Sequence, residues 1–330
     1  MSRLSYILFL LLLVKIPLQA EEKITKEDSK AILSYLASDE LEGRGTGKEG
    51  NWKAARFIAE RFKEYGLRPL YVPVYIQPVP LPPPIDGHGY FQHFNYHYSV
   101  RAGWFRRRRV TIDTTNVVGV LQGESDRCIL FGAHFDHLGI RGGRIYNGAD
   151  DNASGTTALL ELAEAFAKSG KKPKYTLVFA AFSAEEVGLL GSRYYVNYPA
   201  VPLKNHNLMI NMDMVGRLRN GNVRGIVGRA MGRNQRDRLN PVLNLQSGNL
   251  SRRTKDLVHK VAEGYPFSFN LTMAGWRSDH AEFNSQGIPV LFFHTGGHPQ
   301  YHEPTDDEHL INYDGLVELT KYIFELANEL

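Results

Sequence analysis

From Asn116 onward, unbroken apolar runs alternate with stretches of helical periodicity, and this pattern limits the fold more than any other feature of the chain. The apolar runs are Val117 to Leu121, Cys128 to Ala133, Tyr175 to Phe182, Leu208 to Met212, Val223 to Val227, Phe267 to Leu271 and Ile288 to Phe293. Between them, 156–168, 189–196 and 254–263 read as helices, and a last helix starts near Tyr313 with Leu316, Leu319, Ile323, Leu326 and Leu330 on one stripe. Strands that are apolar at every position are buried on both faces, and strands interleaved with helices are joined by crossovers. The expectation is an α/β fold: one mainly parallel, mixed sheet with helices on both faces.

The N-terminal third adds to this unit. Thr25 with Asp28 reads as a capping box ahead of Ile32, Leu33 and Leu36, and Ala54, Ala55, Ile58 and Phe62 line a second helix ended by Gly66. Between the helices lies the glycine-rich Leu41-Glu42-Gly43-Arg44-Gly45-Thr46-Gly47 loop. Residues 69–90 contain seven prolines, and 88–109 are rich in His, Tyr, Phe and Arg, so 69–115 is expected to be a surface excursion. The domain plan is then a signal peptide over 1–20 and a single domain over 21–330.

The signal reading rests on Arg3, the apolar stretch Tyr6 to Val14, the break at Pro17 and Ala20 as the residue before cleavage. That stretch is shorter than the ~20 apolar residues a membrane span needs. Export to a periplasm or the extracellular space is expected, with no stable membrane span once the signal is removed. Cleavage would remove Arg3 and Lys15 and lower the formal charge from +4 to +2. So small an excess gives no reason to expect a nucleic-acid partner, and the Arg106–Arg109 run, without a stacking pattern beside it, reads as a solvated loop. Cys128 is the single cysteine, so an exported chain has no internal disulfide. It opens an apolar strand and reads as a buried thiol.

In sheets of this kind, sites form at the carboxyl ends of the strands. His134 and Asp136 follow one apolar run, Glu185 and Glu186 another, Asp213 a third, and His294, His298 and His302 a fourth, while Asp150 and Asp151 stand before a helix. Imidazole nitrogen and carboxylate oxygen are zinc donors, and two zinc ions ~3.5–4 Å apart can share a bridging carboxylate. His137, His294 and His298 compete with His302 as ligands, and the glycines and proline between the last three argue against a helix there.

These segments resemble a family. The motifs are Ala133-His134-Phe135-Asp136-His137-Leu138-Gly139, Tyr146 to Gly155 with Gly148-Ala149-Asp150-Asp151-Asn152 at its centre, Ser183 to Ser192 with Glu185-Glu186, Asn211-Met212-Asp213-Met214-Val215-Gly216, Arg277-Ser278-Asp279-His280 and Tyr301-His302-Glu303-Pro304-Thr305-Asp306. In this order they resemble the di-zinc exopeptidases typified by secreted bacterial leucyl aminopeptidases, a group related to glutamate carboxypeptidase, the transferrin-receptor ectodomain and glutaminyl cyclases. The resemblance implies two Zn2+ per chain and peptide substrates. It implies that His134 and Asp213 hold one zinc, Glu186 and His302 the other, and Asp151 bridges them. By the same resemblance Glu185 is the general base, Asp136 hydrogen-bonds the second nitrogen of His134, and Asp150 shapes the turn that presents Asp151. Where several relatives carry an oxyanion-stabilising tyrosine, this chain reads Ala274-Gly275-Trp276-Arg277, which leaves that donor open. A metallo-aminopeptidase is the expected function. A carboxypeptidase or dipeptidase of the same fold, with Arg217 or Arg277 receiving a terminal carboxylate, and a non-catalytic binding module are the alternatives.

Overall fold

The structure is a computed structural model that describes residues 23–69, 89–101, 107–218, 242–275 and 277–330. The signal segment, the strand expected over 223–227, Trp276 and Arg106 lie outside the described residues.

Two helices open the described chain, α1 (Lys26–Leu36) and α2 (Glu49–Glu64). Thr25 caps α1 as its sequence suggests, its hydroxyl accepting the Asp28 N–H at 3.1 Å. Strands β1 (Arg68–Pro69), β2 (Phe91–Arg101), β3 (Arg107–Leu121) and β4 (Ser125–His134) follow. A small hairpin, β5 (Gly139–Arg141) and β6 (Arg144–Tyr146), precedes α3 (Gly155–Ala167), β7 (Tyr175–Phe182), α4 (Leu190–Asn197) and β8 (His206–Met212). The chain closes with β9 (Val242–Gly248), α5 (Arg252–Ala262), β10 (Ser268–Met273), α6 (His280–Ser285), β11 (Val290–His294) and α7 (Tyr313–Glu329).

Among the described residues nine strands form one sheet, ordered β1-β3-β7-β4-β8-β11-β9-β10 with β2 on the outer part of β3. Its centre, β7-β4-β8-β11, is parallel; β3 and β9 join it antiparallel, and β10 runs parallel to β9. The mixed sheet is therefore parallel where its strands are most apolar.

Side chains alternate between two cores, as the strand period of two requires. Ile129, Phe131 and Ala133 of β4 pack with Leu177, Phe179 and Ala181 of β7 and Ile210 of β8 beneath the α1, α2, α3 and α7 layer. Cys128 and Leu130, with Val178, Ala180, Phe182 and Met209, face Tyr195 of α4 and Phe283 of α6. Phe131 and Phe179 stack at 5.1 Å between ring centroids. Each fully buried Phe or Leu stabilises the fold by roughly 1.5–3 kcal/mol through burial. Burial pushes the Cys128 thiol up to about 12, which fits an inert packing role.

Part of the stretch read as a surface excursion differs from that expectation, while its residues 70–88 and 102–106 lie outside the described residues. Residues 91–101 and 107–117 pair as an antiparallel hairpin that belongs to the main sheet. Thr114, Thr115 and Asn116 are buried at its base, where the Asn116 amide donates to Gln92 and to the Gly191 carbonyl. The hairpin was hidden in the sequence because polar side chains, satisfied by one another, take the place of an apolar run.

Candidate metal centre

The carboxyl ends of β4, β7, β8 and β11 come to one edge of the sheet, so the residues that follow them converge. Parallel register sets His134 beside Phe182 and Gly132 beside Asn211. The segment Ala149–Ser154 then runs across this edge into α3. Gly148 begins it in the left-handed region (φ 55°), and a Cβ there would lie 2.0 Å from the Asp151 carbonyl oxygen and 2.5 Å from the His137 ring. Only glycine fits. The Asp151–Asn152 peptide is cis. The Asn152 amide donates to the Met212 carbonyl at 3.0 Å, and its oxygen accepts the N–H groups of Gly155 (2.9 Å) and Met214 (3.2 Å). The turn carrying Asp151 is thereby joined to the strand end carrying Asp213.

Two donor groups meet at Asp151. On one side His134 Nε2 lies 3.4 Å from Asp151 Oδ1 and 3.4 Å from Asp213 Oδ1. On the other, His302 Nε2 lies 3.1 Å from Asp151 Oδ2 and 3.2 Å from Glu186 Oε2. Ligands around a tetrahedral zinc with bonds of ~2.0 Å are spaced about 3.3 Å apart. Both groups have that spacing. Asp213 Oδ1 is buried and makes no hydrogen bond among the described residues, a costly arrangement that a cation would resolve. The donor set and its spacing fit two zinc ions.

Electrostatics point the same way. Burial works against a charged His134, yet Glu185 and Asp213 hold its imidazolium well above the ordinary range. Hydrogen bonds to Asp151 and Glu186 raise His302 to about 10. Burial pushes the Glu185 carboxyl up to about 10 against the pull of His134, with Asp213, Asp279 and Glu186 adding to the rise. The pocket is a concentrated well for positive charge.

The remaining candidates fall around this pair of groups. Asp150 stays out of both: its Oδ1 accepts the Gly216 N–H at 2.7 Å and the Ser154 hydroxyl at 3.1 Å, and Oδ2 faces His298 Nε2 at 3.2 Å. His294 Nδ1 lies 3.4 Å from the Met214 carbonyl. Asp279 and His280 are buried, the latter with Nε2 3.0 Å from the Gly275 carbonyl. Arg217 is tied to Asp306 at 2.7 Å.

Asp136 differs from expectation. His134 Nδ1 lies closest to the Asp136 backbone carbonyl, at 3.1 Å, and 3.7 Å from the carboxylate. The carboxylate is drawn instead to two better-placed donors, the Glu185 N–H (3.1 Å) and the Thr46 hydroxyl (2.7 Å). The main chain of Asp136 thus orients the imidazole, while its side chain orients the Glu185 backbone.

Sequence reasoning set His137 aside, yet the structure brings it in. The ring is fully buried, with Nδ1 2.7 Å from Glu186 Oε1 and 3.7 Å from Asp151 Oδ2. Its position three residues after His134 was the available signal. Tyr301 was also unassigned; its ring stacks on His302 with 3.9 Å between centroids.

The chain is similar to known proteins. A probable zinc metalloprotease of Pyrenophora teres f. teres (strain 0-1) is 29% identical over 226 residues, 60% of this chain and 43% of that protein. A glutamate carboxypeptidase 2 homolog of Caenorhabditis elegans is 29% identical over 272 residues, 71% of this chain and 33% of that one. The chain spans well under two thirds of the length of these relatives. Among solved structures, an aminopeptidase from Aneurinibacillus sp. strain AM-1 superposes with a TM-score of 0.69 at 17% identity, covering 93% of this chain and 94% of the other, a likeness of fold. The model of peptidase family M28 matches residues 116–327, which hold every strand of the parallel centre and both donor groups, and the chain belongs to that family.

Proposed function

We propose that this protein is an exported di-zinc aminopeptidase that removes N-terminal residues from peptides. The observation that carries the reading is the two-sided use of Asp151, with Oδ1 turned to His134 and Oδ2 to His302. His134 and Asp213 would complete one zinc site with Asp151, and Glu186 and His302 the other. When bound, the two zinc ions polarise the scissile carbonyl and make water a stronger acid.

The proton work falls to Glu185. Its carboxyl belongs to neither donor group, and its backbone is pinned by Asp136. It takes the proton from the attacking water as the C–O bond forms, and gives it to the amine as the C–N bond breaks.

The choice of aminopeptidase over carboxypeptidase follows from charge. A carboxypeptidase needs a free cation, and Arg217, one candidate, is 9% exposed and engaged by Asp306. The other, Arg277, is exposed. A non-catalytic module has no need of so complete a donor set. Export rests on residues 1–20, and no helix among the described residues is long and apolar enough to cross a membrane.

The test is hydrolysis of free-amine amino-acid amides beside N-blocked and C-blocked dipeptides, with and without chelator, together with zinc analysis. Chelator-sensitive cleavage of free-amine substrates at two zincs per chain is expected. Cleavage confined to N-blocked substrates with a free carboxylate would reverse the assignment, and well under one zinc per chain with no hydrolysis would support the binding module.

A further inference from the structure

The glycine-rich segment before α2 sends a buried arginine beneath the donor groups. Glu42, Gly43 and Arg44 all take the left-handed conformation (φ 50°, 66° and 50°), a path that turns the Arg44 side chain inward. Gly43 is obligatory on that path, since a Cβ would lie 2.3 Å from the Tyr146 carbonyl oxygen. Arg44 is 1% exposed.

Among the described residues its guanidinium bonds only to backbone carbonyls. Nε donates to Phe135 at 2.7 Å, one terminal nitrogen to Leu36 and to Asn147 (2.7 Å), the other to Gly148 at 3.0 Å. Its own carbonyl accepts the His137 N–H at 3.2 Å. Phe135 stands directly after His134, and Asn147 and Gly148 open the turn that leads to Asp151. One rigid planar fork therefore spans the loop carrying His134 and the turn carrying Asp151. The nearest opposite charges, Asp151, Asp136, Asp306 and Glu186, act on it through space.

We propose that Arg44 is a positioning residue that fixes the separation of His134 and Asp151 before metal arrives, and so sets zinc affinity. The proposal rests on the two-zinc reading above. A lysine cannot replace the fork: an ammonium is a point charge with three donors, and cannot reach carbonyls on three separate segments with the same geometry.

The test is zinc affinity by chelator competition on the full chain, for the wild type, Arg44→Lys and Arg44→Ala. Binding about 10- to 100-fold weaker is expected in Arg44→Lys, the range found when groups that orient metal ligands are lost. Partial recovery of Arg44→Ala by added guanidinium ion is also expected, which a general loss of folding would not give. Affinity within about twofold of wild type in both variants would overturn the proposal. Should the variants fail to fold, hydrogen exchange on the wild type decides. A preset site protects the amides of 147–153 equally with and without zinc, whereas protection gained only on zinc binding overturns it. A wild type that binds less than one zinc per chain defeats the two-zinc reading itself, a result distinct from unchanged affinity in the variants.

Discussion

The carboxylate of Asp306 holds the backbone of Asp151 from 155 residues away in the chain: its Oδ2 accepts the Asp151 N–H at 3.1 Å and that of Asp150 at 2.9 Å, while Oδ1 takes Arg217 at 2.7 Å. The pair is buried, Asp306 completely. Removing the charge would leave Arg217 without its counter-ion inside the protein. Asp306→Asn is expected to lower stability by about 3–5 kcal/mol in urea unfolding, and Asp307→Asn, its half-buried neighbour, by far less. Equal effects would mean that the clamp is not special.

Replacement of Glu185 separates binding from proton transfer. Glu185→Gln keeps the shape and removes the base, so two zincs per chain should remain while turnover of an amino-acid amide falls by about 10²–10⁴. Zinc analysis beside steady-state rates checks both halves. Full activity in this variant would remove Glu185 from the mechanism.

The shared use of Asp151 predicts unequal metal losses. Asp151→Ala removes a donor from both groups and should weaken both zincs. Asp213→Ala touches the His134 group alone and should leave one zinc at wild-type affinity. Stepwise zinc titration distinguishes these, and a single tight zinc surviving in Asp151→Ala would show that the carboxylate does not bridge.

A pH effect on stability arises away from the site, at Glu161 of α3. Ser29 Oγ lies 2.8 Å from the Thr25 carbonyl and 2.7 Å from Glu161 Oε1. Ser29 donates to the carboxyl, which eases the charged form without offsetting the cost of its burial. Burial raises this carboxyl to about 8, with Asp28 and Glu164 adding and Ser29 and Lys321 opposing. The unfolded chain gives up the proton above its usual value of 4.5, while the folded protein keeps it until about 8. The associated stability is full below the lower value and is lost as pH rises toward the higher one. Glu161→Gln cannot ionise, so its Tm should match wild type near the lower value and exceed it by roughly 4–8 °C near the upper. A Tm gap that does not widen with pH would refute a neutral Glu161.

Legibility in the sequence followed burial. Strands β4 and β7 were readable because both faces are covered, which forces an apolar residue at every position. The β2–β3 hairpin was not, because its buried residues are polar: Asn116 donates to Gln92 and Thr114 donates to Asn51 of α2, which leaves no apolar run to detect. β9 was missed for a related reason: Val-Leu-Asn-Leu-Gln-Ser-Gly alternates like a surface strand. The residues proposed as ligands stood out because each follows a strand and lies in a recognisable motif. His137 lay inside the motif of His134 and was weighed as a rival to His302, which was preferred for its own motif. The reach of Arg44 was invisible, since its partners are carbonyls, which every residue has.

The order of the strands has a further consequence. His134 follows β4, whereas His302 follows β11, the last strand to enter the sheet's centre. A chain still emerging holds four of the five proposed ligands, His134, Asp151, Glu186 and Asp213, and lacks His302. The donor set proposed for the two metal ions is therefore completed only when the segment after β11 joins the sheet.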